Sequence, residues 1–421
     1  MSLPTPPEGE VSVANEPSPV SKWFITAYAL TMFGTNLVMI MPTLFSLAYK
    51  IQLLDPTGKE ASLGLVVGLG ALINMIVTPI FGVLSDHTRA RWGRRRPWIA
   101  AGIILCTCSG FALAVAPSVL VLGAAWMVYQ VGVAALLSSL TAVLADQIPT
   151  TQRGKVGALT GVSAQLAGVG GTLIGSALTG SVLLMFLLPP VALAMFFVLY
   201  LVAIPDRPAP PATARQSIAS VFRELVFDPR KHRDYTFVWI GRFLFMSGVA
   251  FFSTYQLYFL LDRIRLTAES AGQNLAIVGA LGIIVTTGFA VVGGMLSDRT
   301  RRRKPFIYAA SALGAAGLLV MAFAHDVIIF TCAALLIVAA AGLFASVDLA
   351  LASDVVPDKS QAGRWMSILN VSGSLAQSII PVIAPFVLMV GGGQNYTVLY
   401  LTAAVVATGA GITAWQVRKV R

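Results

Sequence analysis

Twelve apolar runs, each about 20 residues long, dominate the chain. They lie at 23–48, 62–85, 97–116, 119–144, 156–178, 181–203, 236–261, 271–296, 305–324, 327–351, 365–390 and 396–416. An α-helix needs such a stretch to cross ~30 Å of hydrocarbon, where backbone N–H and C=O groups must find partners inside the helix itself. The chain therefore reads as an all-α membrane protein with twelve transmembrane helices. Composition agrees, with 57% hydrophobic and 11% charged residues, where a soluble domain carries roughly 25% charge. The net charge of +11 does not point to nucleic acid, because Lys and Arg sit in short loops between the runs. The partner expected from this pattern is the lipid bilayer.

The longest polar interruption, 205–235, divides the runs into six and six, and the sequence on its two sides repeats. Gly82-Val-Leu-Ser-Asp86-His-Thr-Arg89-Ala-Arg91-Trp92-Gly93-Arg94-Arg95-Arg96-Pro97 follows the second run, and Gly294-Met-Leu-Ser-Asp298-Arg299-Thr300-Arg301-Arg302-Arg303-Lys304-Pro305 follows the eighth. Asp146, Pro149 and Arg153 close the fourth run as Asp354, Pro357 and Arg364 close the tenth. Two copies of one six-helix bundle follow from this, spanning 22–204 and 236–421. The Pro- and Glu-rich segment 1–21 reads as a disordered cytoplasmic tail. Within the 205–235 linker, Ile218, Val221, Phe222 and Leu225 recur at helical spacing beside Arg215 and Arg223. An amphipathic helix over Ser217–Phe227, lying on the membrane surface, is expected.

Orientation follows from the basic residues. With a cytoplasmic N-terminus, only Lys50, Lys59, Arg263 and Arg265 fall on the far side, and Arg242 lies within a run. That asymmetry predicts a multi-pass plasma membrane protein with both termini cytoplasmic. Cys106, Cys108 and Cys332 lie inside apolar runs and form neither a disulfide framework nor a metal site. No P-loop, catalytic triad or dinucleotide fingerprint is present, so no enzyme activity, cofactor or metal is expected.

The loop after the second run resembles the G-x-x-x-D-R-x-G-R-R signature of the major facilitator superfamily, and the likeness extends over 22–417. Its longer form, Asp86 through Arg89, Arg91, Trp92, Gly93 and Pro97 to Ile99, is similar to the glycoside–pentoside–hexuronide:cation symporters and the sucrose carriers. The resemblance implies a secondary transporter that works by alternating access, probing a small-molecule substrate from one side at a time. It also implies that Asp86 faces the start of helix 11 and Asp298 the start of helix 5. Exposed ion pairs are worth about 0–1 kcal/mol, weak enough to break in every cycle. On that basis Asp86, Arg94, Arg95, Asp146, Asp298, Arg302, Asp354 and Arg364 form the expected cytoplasmic gate. Where melibiose-type members carry cation-binding carboxylates, this chain has Asn74 and Thr78, which argues against a sodium site of that kind.

Intramembrane charge costs about 2.5–3.5 kcal/mol at a helix centre and marks function by default. The first half has none. The second has Arg242 and Asp348, expected to pair, with Asp348 as the group that titrates with a coupling proton. Asn36, Asn74, Gln130, Tyr255, Gln256, Asn370 and Gln377 are the substrate-binding candidates, since aromatic faces and amides suit sugar rings and hydroxyls. Tyr258, nearer the outer end of its run, reads as part of an interfacial aromatic belt. A proton-coupled sugar or glycoside symporter, functional as a monomer, is the expected protein. The alternative is an exporter of amphipathic drugs or secondary metabolites.

Overall fold

The computed structural model describes residues 19–206 and 218–418. The tail over 1–18 and the linker residues 207–217, with Pro208, Pro210, Pro211 and Arg215, lie outside them. Among the described residues, twelve helices are long and apolar enough to cross a membrane. In the first half these are α1 Lys22–Leu54, α2 Lys59–His87, α3 Arg96–Val115, α4 Val119–Gln147, α5 Thr150–Ala177 and α6 Val182–Ala203. In the second they are α7 Arg233–Arg263, α8 Ala268–Thr300, α9 Lys304–Ala322, α10 Val327–Val355, α11 Lys359–Leu388 and α12 Tyr396–Gln416. A seven-residue linker helix, Ile218–Glu224, stands where the amphipathic one was expected and buries no side chain.

Local chemistry sets the helix ends. Ser21, Ser118, Ser181, Thr267, Asp326 and Asn395 each accept a hydrogen bond from the backbone N–H three residues on, which caps α1, α4, α6, α8, α10 and α12. Ser181 thereby separates α5 from α6, a boundary that hydropathy leaves blurred. Pro97 and Pro305 begin α3 and α9, where a missing N–H costs nothing. The helix α1 passes through a wide π-type turn at Pro42–Ser46 and continues to Leu54, and α7 ends in one at Phe259–Arg263.

Packing repeats as the sequence does. In the first half α1 packs on α5 and α6, α4 on α2 and α3, and α3 on α6. The second half pairs α7 with α11 and α12, α10 with α8 and α9, and α9 with α12. Across the halves, α2 meets α11 and α5 meets α8. Those cross-contacts concentrate at one end. Gly64 and Gly68 on α2 abut the carbonyls of Pro381 and Ser378, and Gly272 on α8 abuts Ser176 and Phe45. Toward the other end, Gly154, Gly157 and Gly161 on α5 and Gly288 on α8 face open space. The halves thus touch at the end bearing Lys59 and splay at the arginine-rich end that carries Asp86 and Asp298.

Close packing of α8 on α10 leaves no room beside Gly342, whose added Cβ meets the Thr286 backbone. Gly342→Ala is expected to cost about 1–3 kcal/mol by overpacking, while Gly154→Ala, in open space, is neutral. Thermal unfolding in detergent checks this, and equal melting temperatures for the two variants would contradict the packing.

Candidate functional site

At the arginine-rich end, two matching clusters hold the loops after α2 and α8. The Arg95 side chain is buried and donates to Ser85, to Asp86 at 2.5 Å and to Asp146 at 2.8 Å. Arg94 also pairs with Asp146. The Asp206 carboxylate accepts from the backbone N–H groups of Arg95 and Arg96 at 2.8 and 2.9 Å, securing the start of α3. In the second half, Arg303 donates to Ser297 at 2.9 Å and Asp298 at 2.5 Å, with its Nε 3.7 Å from Asp354. The expected Arg302 is exposed. Registering the two loops on Pro97 and Pro305 reveals the match, because Arg95 and Arg303 each stand two residues before the proline.

Among the described residues, Asp86 and Asp298 form ion pairs with Arg95 and Arg303, where the start of α11 and the start of α5 were expected to face them. Each acid pairs within its own half, since the halves are splayed here and the nearest cation is local. Arg364 likewise donates to the carbonyls of Glu224 and Val226 at 2.8 and 3.2 Å, tying α11 to the segment after the linker helix.

The opposite end is closed by groups that hydropathy hides. Lys59 at the start of α2 pairs with Asp262 at the end of α7, 2.5 Å away, with the Lys59 side chain only 5% exposed. The Tyr258 ring lies 4.9 Å from the same ammonium, a cation–π contact. Its hydroxyl donates to the Ala48 carbonyl at 2.9 Å, so Tyr258 belongs to the junction between halves and not to an interfacial belt. Tyr255 places its hydroxyl 3.2 Å from the Glu60 carbonyl and 3.0 Å from that of Pro381. It is a closure residue, not a lining one. Tyr396 donates to the second oxygen of Asp262 at 2.8 Å. Nearby, the Ser62 hydroxyl and the Gly58 N–H hold the Asp55 carboxyl below the usual carboxylate range, which fixes the turn before α2. Lys59, Asp262 and Tyr396 escape sequence reading. Their one signal is that Lys59 stands against the charge bias of its side.

Between the two ends lie the remaining polar groups. Arg242 on α7 donates to Asp348 on α10 at 2.5 Å and to Asn370 on α11 at 3.2 Å. Asp348 is buried, while Asn370 and Gln377 on α11 are exposed. In the first half, Asn74 donates to the Gln130 carbonyl at 3.3 Å and Asn36 to Ser163 at 3.4 Å. Gln130 and Gln256 are buried. Trp126, absent from the sequence candidates, stacks on Tyr129 at 5.4 Å with its indole N–H unpartnered beside Gly70. One half is thus neutral and hydrogen-bonding, and the other carries a buried ion pair.

Two repeated six-helix bundles, joined at one end and splayed at the other around polar groups, define an all-α membrane fold. The chain belongs to the Major Facilitator Superfamily, whose family profile matches residues 23–362 and 285–420. An uncharacterised symporter of Synechocystis is 39% identical over 79 residues, covering 18% of this chain and 14% of that protein. The lactose permease of Lactobacillus helveticus is 34% identical over 55 residues, covering 12% and 9% respectively. Among solved structures, the nucleoside transporter NupG shares the fold with a TM-score of 0.73 at 14% identity, over 94% of this chain and 100% of that one.

Asp262→Asn leaves the Lys59 ammonium buried without its counter-ion, a defect that typically costs about 3–5 kcal/mol. The closed end should loosen. In a background lacking Cys106, Cys108 and Cys332, a cysteine replacing Ser378 at the α2–α11 contact should then label faster with a membrane-impermeant maleimide. Unchanged labelling would contradict the closure.

Proposed function

We propose that this transporter is a proton-coupled importer of a neutral or weakly charged sugar or glycoside. It works as a monomer in the plasma membrane with both termini cytoplasmic. The arginine-rich end is then the cytoplasmic one by the positive-inside rule, and the splayed halves correspond to an inward-open state. The observation that carries the reading is the Arg242–Asp348–Asn370 cluster, a buried ion pair at 2.5 Å with a third, neutral partner at 3.2 Å. A carboxylate held this way binds its guanidinium tightly while ionised. Protonation removes the charge and leaves the Arg242 donors free to meet substrate oxygens, so proton and substrate each favour the other's binding. Release of the proton on the cytoplasmic side restores the pair and expels the substrate.

The first half supplies neutral donors and acceptors in Asn74 and Gln130, groups suited to bonding the hydroxyls of a sugar ring. Partial matches to a protein named a symporter and to a lactose permease point the same way. Asn74 and Thr78 stand in α2 at the two places where a melibiose-type cation site would need carboxylates.

In proteoliposomes with an inside-negative, inside-alkaline gradient, labelled disaccharides or glycosides should accumulate. Asp348→Asn should abolish accumulation and its pH dependence, by about tenfold or more in rate, while leaving gradient-free exchange of labelled for unlabelled sugar. Accumulation by the variant at the wild-type level would refute the assignment. Expulsion of amphipathic dyes without sugar uptake would favour an exporter instead.

A further inference from the structure

Asp348 has two sides. Toward the centre of the molecule it is covered by Arg242, whose guanidinium reaches on to Asn370. Away from the centre, a void of about 10 Å³ lies between α7, α9, α10 and α12, lined by Arg242, Asp348 and Thr413 among apolar side chains. That is roughly the space one water occupies, and these three supply polar partners for it. A larger cavity of about 410 Å³ opens at the arginine-rich end between α7, α10 and α12, lined by His232, Asp234, Tyr235, Val355 and Gln416 and by basic residues that include Arg418. Phe237 lines both cavities. The two follow each other along the same helices. On α10 the walls run from Val355 through Leu351 to Asp348, about 10 Å at 1.5 Å per residue.

We infer that Asp348 exchanges its proton with the arginine-rich side through this passage within the second half, with Phe237 as its stop, apart from the route that substrate takes. The inference rests on Asp348 as the coupling group. The chemistry of the lining suits a proton. At the mouth stand the His232 imidazole and the Asp234 carboxylate, side chains whose polar atoms can take up and hand on a proton. The step is a plain transfer, in which a proton leaves water in the void for the Asp348 carboxylate and is replaced from the outer cavity. The charged and titratable groups near Asp348 are Arg242 and Tyr235 on α7. The lining from α9 and α12 is uncharged. A separate passage explains how Arg242 can shield the carboxylate from the substrate side without locking its proton in place.

The test needs no substrate. Protein in nanodiscs is subjected to a pH jump, and the carboxyl infrared band that Asp348→Asn removes is followed in time. Phe237→Trp should slow the appearance of that band by about tenfold or more without moving its midpoint pH, because a stop alters the rate and not the equilibrium. Phe237→Ala should match or exceed the wild-type rate. Wild-type kinetics in Phe237→Trp, with the band still assigned to Asp348, overturns the passage alone. If Asp348→Asn removes no titrating band, the coupling role fails and the passage with it.

Discussion

A lysine ammonium buried between two halves of a membrane protein sets the terms for the rest of this structure. Lys59 is held by Asp262 across the junction, under the ring of Tyr258, with Tyr396 fixing the acid. Neither charge can be left behind cheaply, so this end stays shut as a unit or opens as a unit. Small residues make the contact possible, since Gly64 and Gly68 let α2 approach the α11 backbone. In the proposed alternating-access cycle, the end left free to swing is then the other one.

The arginine clusters complement that arrangement. Arg95 and Arg303 each draw together a serine and two acids of their own half. Each cluster joins the end of one helix, the start of the next and the exit of a third, tying three helices of its bundle together. Asp206 adds a tie from the end of the first half back to α3. In the proposed cycle, a change of protonation at the buried Arg242–Asp348 pair between these ends alters which donors are free, and a swing of the halves decides which side sees them.

Much of this was legible in the sequence, for identifiable reasons. Hydrocarbon demands about 20 apolar residues per crossing, so the twelve helices announce themselves, and the repeat of Asp86 at Asp298 exposes the doubling. Arg242 and Asp348 were legible because charge inside an apolar run has no cheap explanation. The closure was not. Lys59 and Asp262 lie 203 positions apart in segments that read as loops, and no periodicity links them. Tyr255 and Tyr258 looked like lining and belt because hydropathy reports that a tyrosine is near an interface without saying whether lipid or protein lies against it. Arg303 replaced Arg302 because one basic run offers several candidates and only the three-dimensional path of the loop selects among them. Which end is open is a property of one state and has no imprint on residue spacing.

Distances measured at both ends at once address the central claim that the halves pivot as rigid bodies about a breakable closure. Spin labels at Arg89 and Lys359 report the arginine-rich end, and labels at Thr57 and Gln394 report the closed one. Electron–electron double resonance in nanodiscs should give two populations for each pair. Lowering pH or adding a transported sugar should shift them in opposite directions, one end lengthening as the other shortens. Distances that change at one end alone, or in the same direction at both, would contradict it.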